Sequence, residues 1–344
     1  MNEFGMSAHR ATTASDLRAR IEETFTPSSP VARRDLFAGR AGALQQLLDL
    51  VQQPGRHVVL FGEPRTGKTS LATIVPEFAA DPVSLVLVTA EAGDTFDTLW
   101  RKAADAVRTT LRRAERGLAA SAFPSDTPTT LAKDAEASAT DVVALLARLS
   151  AAAPAWVVFD AFDRAADPDT RLRMREVAES AGASAPRATL VFAGTATSGD
   201  RLMEPSSSLV PVQVPRFTAD ESVEAVLRAL RVLGLTADDT VVERIATLAN
   251  GLPHVTQGLA RAAARAVATE GGGPIGNAQL DAAVRALLAE ASEPLRAAYE
   301  QATVRASRGI YPEILLACAL SPRDAYGTFS VADVCATVTR IVRR

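Results

Sequence analysis

Cysteine is nearly absent: Cys318 and Cys335 are the only two in 344 residues, and their separation matches no metal-ligand pattern. Neither a disulfide framework nor a structural zinc site is expected, and two small core thiols in a reducing cytoplasmic setting are. Lysine is almost as scarce. Lys68, Lys102 and Lys133 stand in a chain that is otherwise rich in arginine. This bias points to a GC-rich bacterial genome and makes each lysine conspicuous. Long apolar runs are missing as well. None approaches the roughly 18 residues of a membrane span, so no membrane partner is expected. The first residues hold no apolar stretch of the signal-peptide kind. A formal net charge of −3 argues against a protein that coats nucleic acid generally and leaves room only for a local basic face. No internal repeat is found.

What is present is a chain that is 47% hydrophobic and long enough for two or three domains. Residues 1–34 lack strong periodicity, contain TPSSP, and read as a loose N-terminal arm with one helix at Ala14–Thr24. From residue 35 the pattern changes. Leu44, Leu47, Leu48 and Val51 recur at helical spacing. Short apolar runs then follow at His57–Phe61, Leu85–Thr89, Trp156–Phe159, Thr189–Ala193 and Val210–Val214. They have the length and bulk of buried parallel strands, and Pro211 suits an edge better than the centre of a sheet. Amphipathic helices lie between them, the clearest being Phe96–Arg113. Alternation of strand and helix predicts a parallel sheet flanked by helices over residues 35–216. Residues 116–137, small, polar and proline-bearing, read as a surface loop or insertion. After Phe217 the strand pattern stops. Ala219–Leu233, Asp239–Ala249, Pro253–Thr269 and Asn277–Glu290 read as the helices of a second domain, 217–290. Residues 291–344 read as a third, small helical piece.

The sharpest motif lies at the end of the first strand. Gly62, Glu63, Pro64, Arg65, Thr66, Gly67, Lys68 and Thr69 fill every fixed position of G-x-x-x-x-G-K-S/T, and a helix opens with Ser70. The spacing has a physical reason. The glycines let the backbone curl until successive N–H groups face one point, and the helix adds its positive end there. Lys68 can then reach the β- and γ-phosphates of a nucleotide, and the Thr69 hydroxyl can ligate Mg²⁺. A second acidic motif, Trp156–Asp160, is a buried strand ending in a carboxylate that can hold the same Mg²⁺ opposite Thr69.

With these residues in place, the chain resembles the AAA+ P-loop ATPases, and more narrowly a bacterial branch near the origin-recognition initiators and the STAND signalling ATPases. The resemblance runs from about residue 35 to the C-terminus. It rests on Leu36-Phe37-Ala38-Gly39-Arg40, the loop at 62–69, Phe159-Asp160-Ala161-Phe162-Asp163-Arg164, Gly251-Leu252-Pro253-His254, and Leu315–Leu320. It implies an α/β P-loop NTPase domain, an α-helical lid and a partial winged-helix-like C-terminal piece, with ATP or ADP and Mg²⁺ as ligands. It also implies roles for single residues. Backbone around Phe37, Gly39 and Arg40 would contact adenine. Pro253 and His254 would approach the nucleotide from the lid, with His254 where relatives place a phosphate-sensing arginine; a capping or core histidine is the alternative. Thr195 or Thr197 would orient the attacking water, or else belong to a turn with no catalytic role.

Two departures from the family bear on catalysis. Relatives follow the strand-end aspartate with a glutamate that polarises water; here Ala161 stands there, and a methyl group cannot accept a proton. Relatives also carry an arginine just ahead of the last strand, whereas Ser206-Ser207-Ser208-Leu209 has none. Three readings of Ala161 stay open: a substitution that traps the ATP state, a naturally slow enzyme, or replacement of the base by Asp163. Arg164 and Arg216 are the remaining candidates for a γ-phosphate contact. The expectation is therefore an ATP-binding AAA+-type switch with slow or impaired hydrolysis, working as a homo-oligomer or with a partner protein in a bacterial multi-component system of the phage-defence or mobile-element type. The alternatives are a DNA-binding initiator-like or loader-like ATPase and a nucleotide-stabilised scaffold. For DNA the tail offers few basic residues beyond Arg305, Arg308, Arg323, Arg340, Arg343 and Arg344.

Overall fold

The computed structural model describes residues 14–115, 123, 137–165, 167–196, 199–304, 311–322 and 329–342. Its contacts divide the chain into two units, Pro30–Phe217 with Gln301–Arg344, and Met1–Ser29 with Thr218–Glu300. The elements are, in chain order, α1 (Ala14–Thr24), α2 (Ala41–Val51), β1 (His57–Gly62), α3 (Lys68–Phe78), β2 (Ser84–Thr89) and α4 (Phe96–Glu115). Next come α5 (Ala139–Leu149), β3 (Ala155–Asp160), α6 (Pro168–Ser184), β4 (Ala188–Thr195) and β5 (Leu209–Gln213). The helices α7 (Ala219–Leu233), α8 (Asp239–Ala249), α9 (Pro253–Glu270), α10 (Asn277–Val304), α11 (Tyr311–Leu320) and α12 (Val331–Val342) complete the chain.

The five strands form one parallel sheet in the order β2-β3-β4-β1-β5. All five foreseen strands are present, with ends that differ by one or two residues, and Pro211 does lie on an edge strand. Side chains alternate between the two faces of the sheet. Val58, Leu60, Trp156, Val158 and Val191 pack with Leu47 of α2 and with Leu71 and Ile74 of α3. Val59, Val157, Phe159 and Phe192 pack on the other face with α4, α5 and α6. Apolar burial on both faces explains why the central strands read as unbroken hydrophobic runs. In that second core Phe159 stacks on Phe192 at 5.8 Å and takes the edge of Trp100 at 5.1 Å.

Two buried polar contacts fix the sheet to its helices. Pro76 sits inside α3 and has no N–H to give the carbonyl four residues earlier, that of Ala72. The indole Nε1–H of Trp156 in β3 donates to that carbonyl at 2.7 Å. The proline break in the helix is thus satisfied from the sheet. At the same end of the sheet His57, the first residue of β1, is fully buried. Its Nδ1 accepts from the amide of Leu190 at 3.0 Å, so Nε2 carries the proton and donates to the carbonyl of Ala178 at 2.7 Å. The ring extends the β-ladder by one rung and ties it to α6.

Among the described residues the second unit is helical, apart from one isolated β-bridge between Ala237 and Ile275. A capping box starts α7, with Thr218 accepting from the amide of Glu221 and Glu221 from that of Thr218, and Gly234 ends it in the left-handed region. The segment read as a loose arm carries a packed helix: α1 lies against α7 and α9, Ile21 and Phe25 are buried, and Glu22 pairs with Arg265 at 2.6 Å. The pattern had not announced this because the apolar side of α1 is only two large residues wide. α10 runs through the boundary expected at residue 290; helix-forming residues continue and only Pro294 argues for a break. α5 and α6 had not been assigned individually, although Ser138 caps α5 and Asp167 with Pro168 opens α6. α11 and α12 pack on each other. The foreseen loop at 116–137 lies almost wholly outside the described residues, as do Arg305, Arg308, Arg323, Arg343 and Arg344. No helix of the described residues is long and apolar enough to cross a membrane.

Two outcomes are expected. Trp156→Phe orphans the Ala72 carbonyl and costs about 1–3 kcal/mol; adding Pro76→Ala restores a helical donor and recovers part of that loss, measurable as a double-mutant cycle in urea. His57 has its pKa lowered from 6.5 to about 4, chiefly by burial. Because the unfolded chain then takes up a proton first, stability is full above pH 6.5 and declines as the pH falls towards 4, by up to about 3 kcal/mol. The decline should be much shallower in His57→Gln; an equal slope in the two proteins would assign it to other groups.

Candidate functional site

The candidate site is built where β1, β3 and β4 end. β1 delivers the chain into the loop Gly62–Thr69, and α3 begins at Lys68 behind it. Gly62 is dictated by space, since a Cβ there would lie 2.4 Å from the carbonyl oxygen of Val214. Gly67, with φ 87°, holds the left-handed position from which the helix starts. Loop carbonyls are taken up one by one. Thr66 Oγ1 donates to Glu63 O at 2.9 Å, and Lys68 Nζ donates to Gly62 O at 3.1 Å and to Glu63 O at 2.6 Å. The Thr66 carbonyl accepts from the Arg40 guanidinium. With these carbonyls engaged, the loop amides and the N-terminus of α3 are the groups left to meet a phosphate.

Lys68 is buried. Burial is the largest influence and lowers its pKa, opposed by the charges of Asp160, Asp163 and Glu63 and reinforced by that of Arg40. The carboxylates of both acidic candidates therefore act on the lysine that would grip the phosphates. Thr69 Oγ1 donates to Asp160 Oδ2 at 2.8 Å. This hydroxyl and carboxylate are hard oxygen donors a short distance apart, and they fit Mg²⁺ held by one or two protein groups and completed by water and phosphate.

The turn after Asp160 is anchored from below. Ala161 is left-handed, with φ 54°, and opens a 3-10 turn over Phe162–Arg164. Phe162 is fully buried and meets Phe192 at 5.0 Å, which locks the turn to β4. Asp163 Oδ1 accepts from the amide of Thr195 at 3.0 Å. This contact needs Gly194: a Cβ there would lie 2.7 Å from Asp163 Oδ1. Thr195 thus closes the end of β4 through its backbone; Thr197 lies outside the described residues. Arg164 is exposed.

Arg40 has a role beyond the one expected of its backbone. Gly39 and Arg40 are both left-handed, with φ 67° and 57°. The turn sends the buried Arg40 side chain to Thr66 O, to Pro215 O at 2.8 Å, and over the ring of Phe217 at 4.7 Å. Phe37 is buried against Phe78, with ring centroids 5.8 Å apart. Ser70 Oγ accepts from the amide of Val31 at 3.1 Å. Pro64 and Arg65 form the exposed crest of the loop. Arg216 makes a two-pronged contact with the Glu63 carboxylate, at 2.7 Å from one terminal nitrogen and 3.0 Å from Nε. Sequence reasoning missed this pairing and the reach of Arg40, because neither has a local signal. In the helical unit Pro253 is the first residue of α9, and His254 Nδ1 lies 2.9 Å from Pro27 O. One ring nitrogen of His254 is thus engaged with the segment following α1.

A parallel sheet flanked by helices, with this loop at its C-terminal edge, is the fold of a P-loop NTPase of the AAA+ type. Residues 36–192 match the family model of the AAA ATPase domain. Fold and match together support a nucleotide-binding P-loop ATPase domain over the matched residues. Among solved structures, the Walker-type ATPase of Pyrococcus abyssi is similar at 18% identity and a TM-score of 0.57, over 93% of each chain. The RuvB Holliday junction branch migration motor of Thermotoga maritima is similar at 17% identity and a TM-score of 0.48, over 75% of this chain and 72% of that one. No curated protein matches the sequence.

The clamp by Arg40 gives a test. Arg40→Lys keeps the charge but cannot serve Thr66 O, Pro215 O and the Phe217 ring together. A loss of about 1.5–3 kcal/mol is expected in chemical denaturation, together with weaker ATP binding. Wild-type affinity in a folded Arg40→Lys protein would show that the clamp does not shape the loop.

Proposed function

We propose that the protein is an ATP-binding switch of the AAA+ class in which the hydrolytic step is slow. The carrying observation is the contact between Thr69 and Asp160 at 2.8 Å beside the buried amine of Lys68. These groups fit Mg²⁺-ATP, with Thr69 and Asp160 on the metal side and Lys68 on the β- and γ-phosphates. Mg²⁺ would neutralise phosphate charge there, and the chain's own groups would hold and orient the nucleotide. What is short is a base. Ala161 offers none, and one oxygen of Asp163 is already engaged by the Thr195 amide. A site that binds well and turns over slowly persists in its ATP-bound form, the property of a switch rather than a motor. The resemblance to STAND and initiator-like ATPases supports a role in a bacterial multi-component assembly, with another copy or a partner protein reading the bound state.

The test compares ATP affinity with steady-state Mg²⁺-ATPase activity in the wild type, Lys68→Ala and Ala161→Glu. Wild type should bind ATP and hydrolyse it slowly, Lys68→Ala should lose most of the affinity, and Ala161→Glu should raise turnover by about 10²-fold or more. Rapid turnover by the wild type would defeat the switch reading, and equal affinity in Lys68→Ala would defeat the site.

A further inference from the structure

The loop's first variable position carries an acid, Glu63, and its partner, Arg216, lies 153 residues away in sequence. Both side chains are about one-fifth exposed, so the pair is partly shielded from solvent and its contact is stronger than that of a free surface pair. Arg216 does not stand alone. It belongs to a four-residue strap, Val214–Phe217, and every member of that strap touches the phosphate loop or the Arg40 clamp. The Val214 amide donates to Phe61 O at 2.7 Å, and the Val214 carbonyl lies against Gly62. The Pro215 carbonyl takes Arg40 Nη1, Arg216 takes Glu63, and the Phe217 ring lies under the Arg40 guanidinium. The strap is also the last stretch of the α/β unit before the chain enters the helical unit at Thr218.

Glu63 is held at two points: its carboxylate by Arg216, and its carbonyl by Lys68 Nζ at 2.6 Å. The charge of Glu63 is also felt at Lys68. A polyphosphate entering the loop disturbs each of these. It draws the Lys68 amine away from the Glu63 carbonyl, it repels the Glu63 carboxylate, and it offers the Arg216 guanidinium a competing, more highly charged acceptor. We infer that the Glu63–Arg216 pair is a latch that restrains the empty loop and that nucleotide phosphate opens, so that the strap Val214–Phe217 reports occupancy of the loop to the chain that follows. This rests on the nucleotide-binding reading above and adds its regulation. A brace that merely supports the loop and a latch that opposes the ligand differ in sign. Removing a brace weakens nucleotide binding; removing the acid of a latch strengthens it.

The experiment uses the full chain and ATPγS, with two readouts. The first is affinity by calorimetry for wild type, Glu63→Gln and Glu63→Ala, the second variant guarding against a folding defect peculiar to the first. Both should bind about three- to tenfold more tightly than wild type. The second is tryptic cleavage of the Arg216–Phe217 bond, followed by mass spectrometry. Trypsin needs a free arginine side chain, so cleavage should rise with ATPγS in the wild type and be high without nucleotide in the variants. Wild type that binds ATPγS while both Glu63 variants bind no more tightly overturns the latch alone, as does cleavage at Arg216 indifferent to nucleotide. Wild type that binds no ATPγS overturns the nucleotide reading and the latch with it.

Discussion

A phosphate-binding loop has to keep several backbone N–H groups aimed at one spot, and much of the α/β unit can be understood as the means of doing so. Amides pointing at one spot carry like partial charges and would turn away unless the carbonyls on the other side were fixed. Here the Gly62, Glu63 and Thr66 carbonyls are fixed by Lys68, Thr66 and Arg40. Arg40 can do this because two successive left-handed residues aim its side chain under the loop. α3 can seat the loop because its proline break is satisfied from β3. The cost of curling the loop is thus distributed over groups that lie far apart in sequence and would be costly to leave unpaired.

The acidic side of the site follows a different logic. Asp160 is positioned by the register of β3, but the turn behind it is positioned by an aromatic side chain. Phe162 lies in the core with Phe159 and Phe192. The one backbone feature out of the ordinary there is the left-handed Ala161. Position 161 is thus set by packing beneath it, and its side chain is at liberty to vary in chemistry. A base can be absent from this position without disturbing the fold.

Strands, most helices and the loop were legible in the sequence because each is encoded within a window of ten or twenty residues: unbroken apolar runs for β1 and β3, helical spacing for α4 and α7–α9, and a fixed motif for residues 62–69. What was not legible joins distant windows. Arg216 reads as a candidate γ-phosphate contact, and only the return of the chain after β5 shows its partner to be Glu63. Arg40 reads as part of a short motif, and only the return of the chain at Pro215 and Phe217 gives its side chain a purpose. His254 reads as a candidate sensor, and the structure engages one of its ring nitrogens with Pro27 O. α1 reads correctly as a helix within the arm, but its packing does not, because its partners α7 and α9 lie far downstream in the sequence.

Gly194 has one more consequence. The space beneath Asp163 admits a glycine and nothing larger, and both neighbours of Gly194 in β4 carry side chains. If β4 entered the sheet one residue early or late, Ala193 or Thr195 would bring a side chain against the Asp163 carboxylate and Leu202, which would have to give way. The missing side chain thus acts as a check on strand alignment: the turn beside the phosphate loop fits best when β4 is in register with its neighbours.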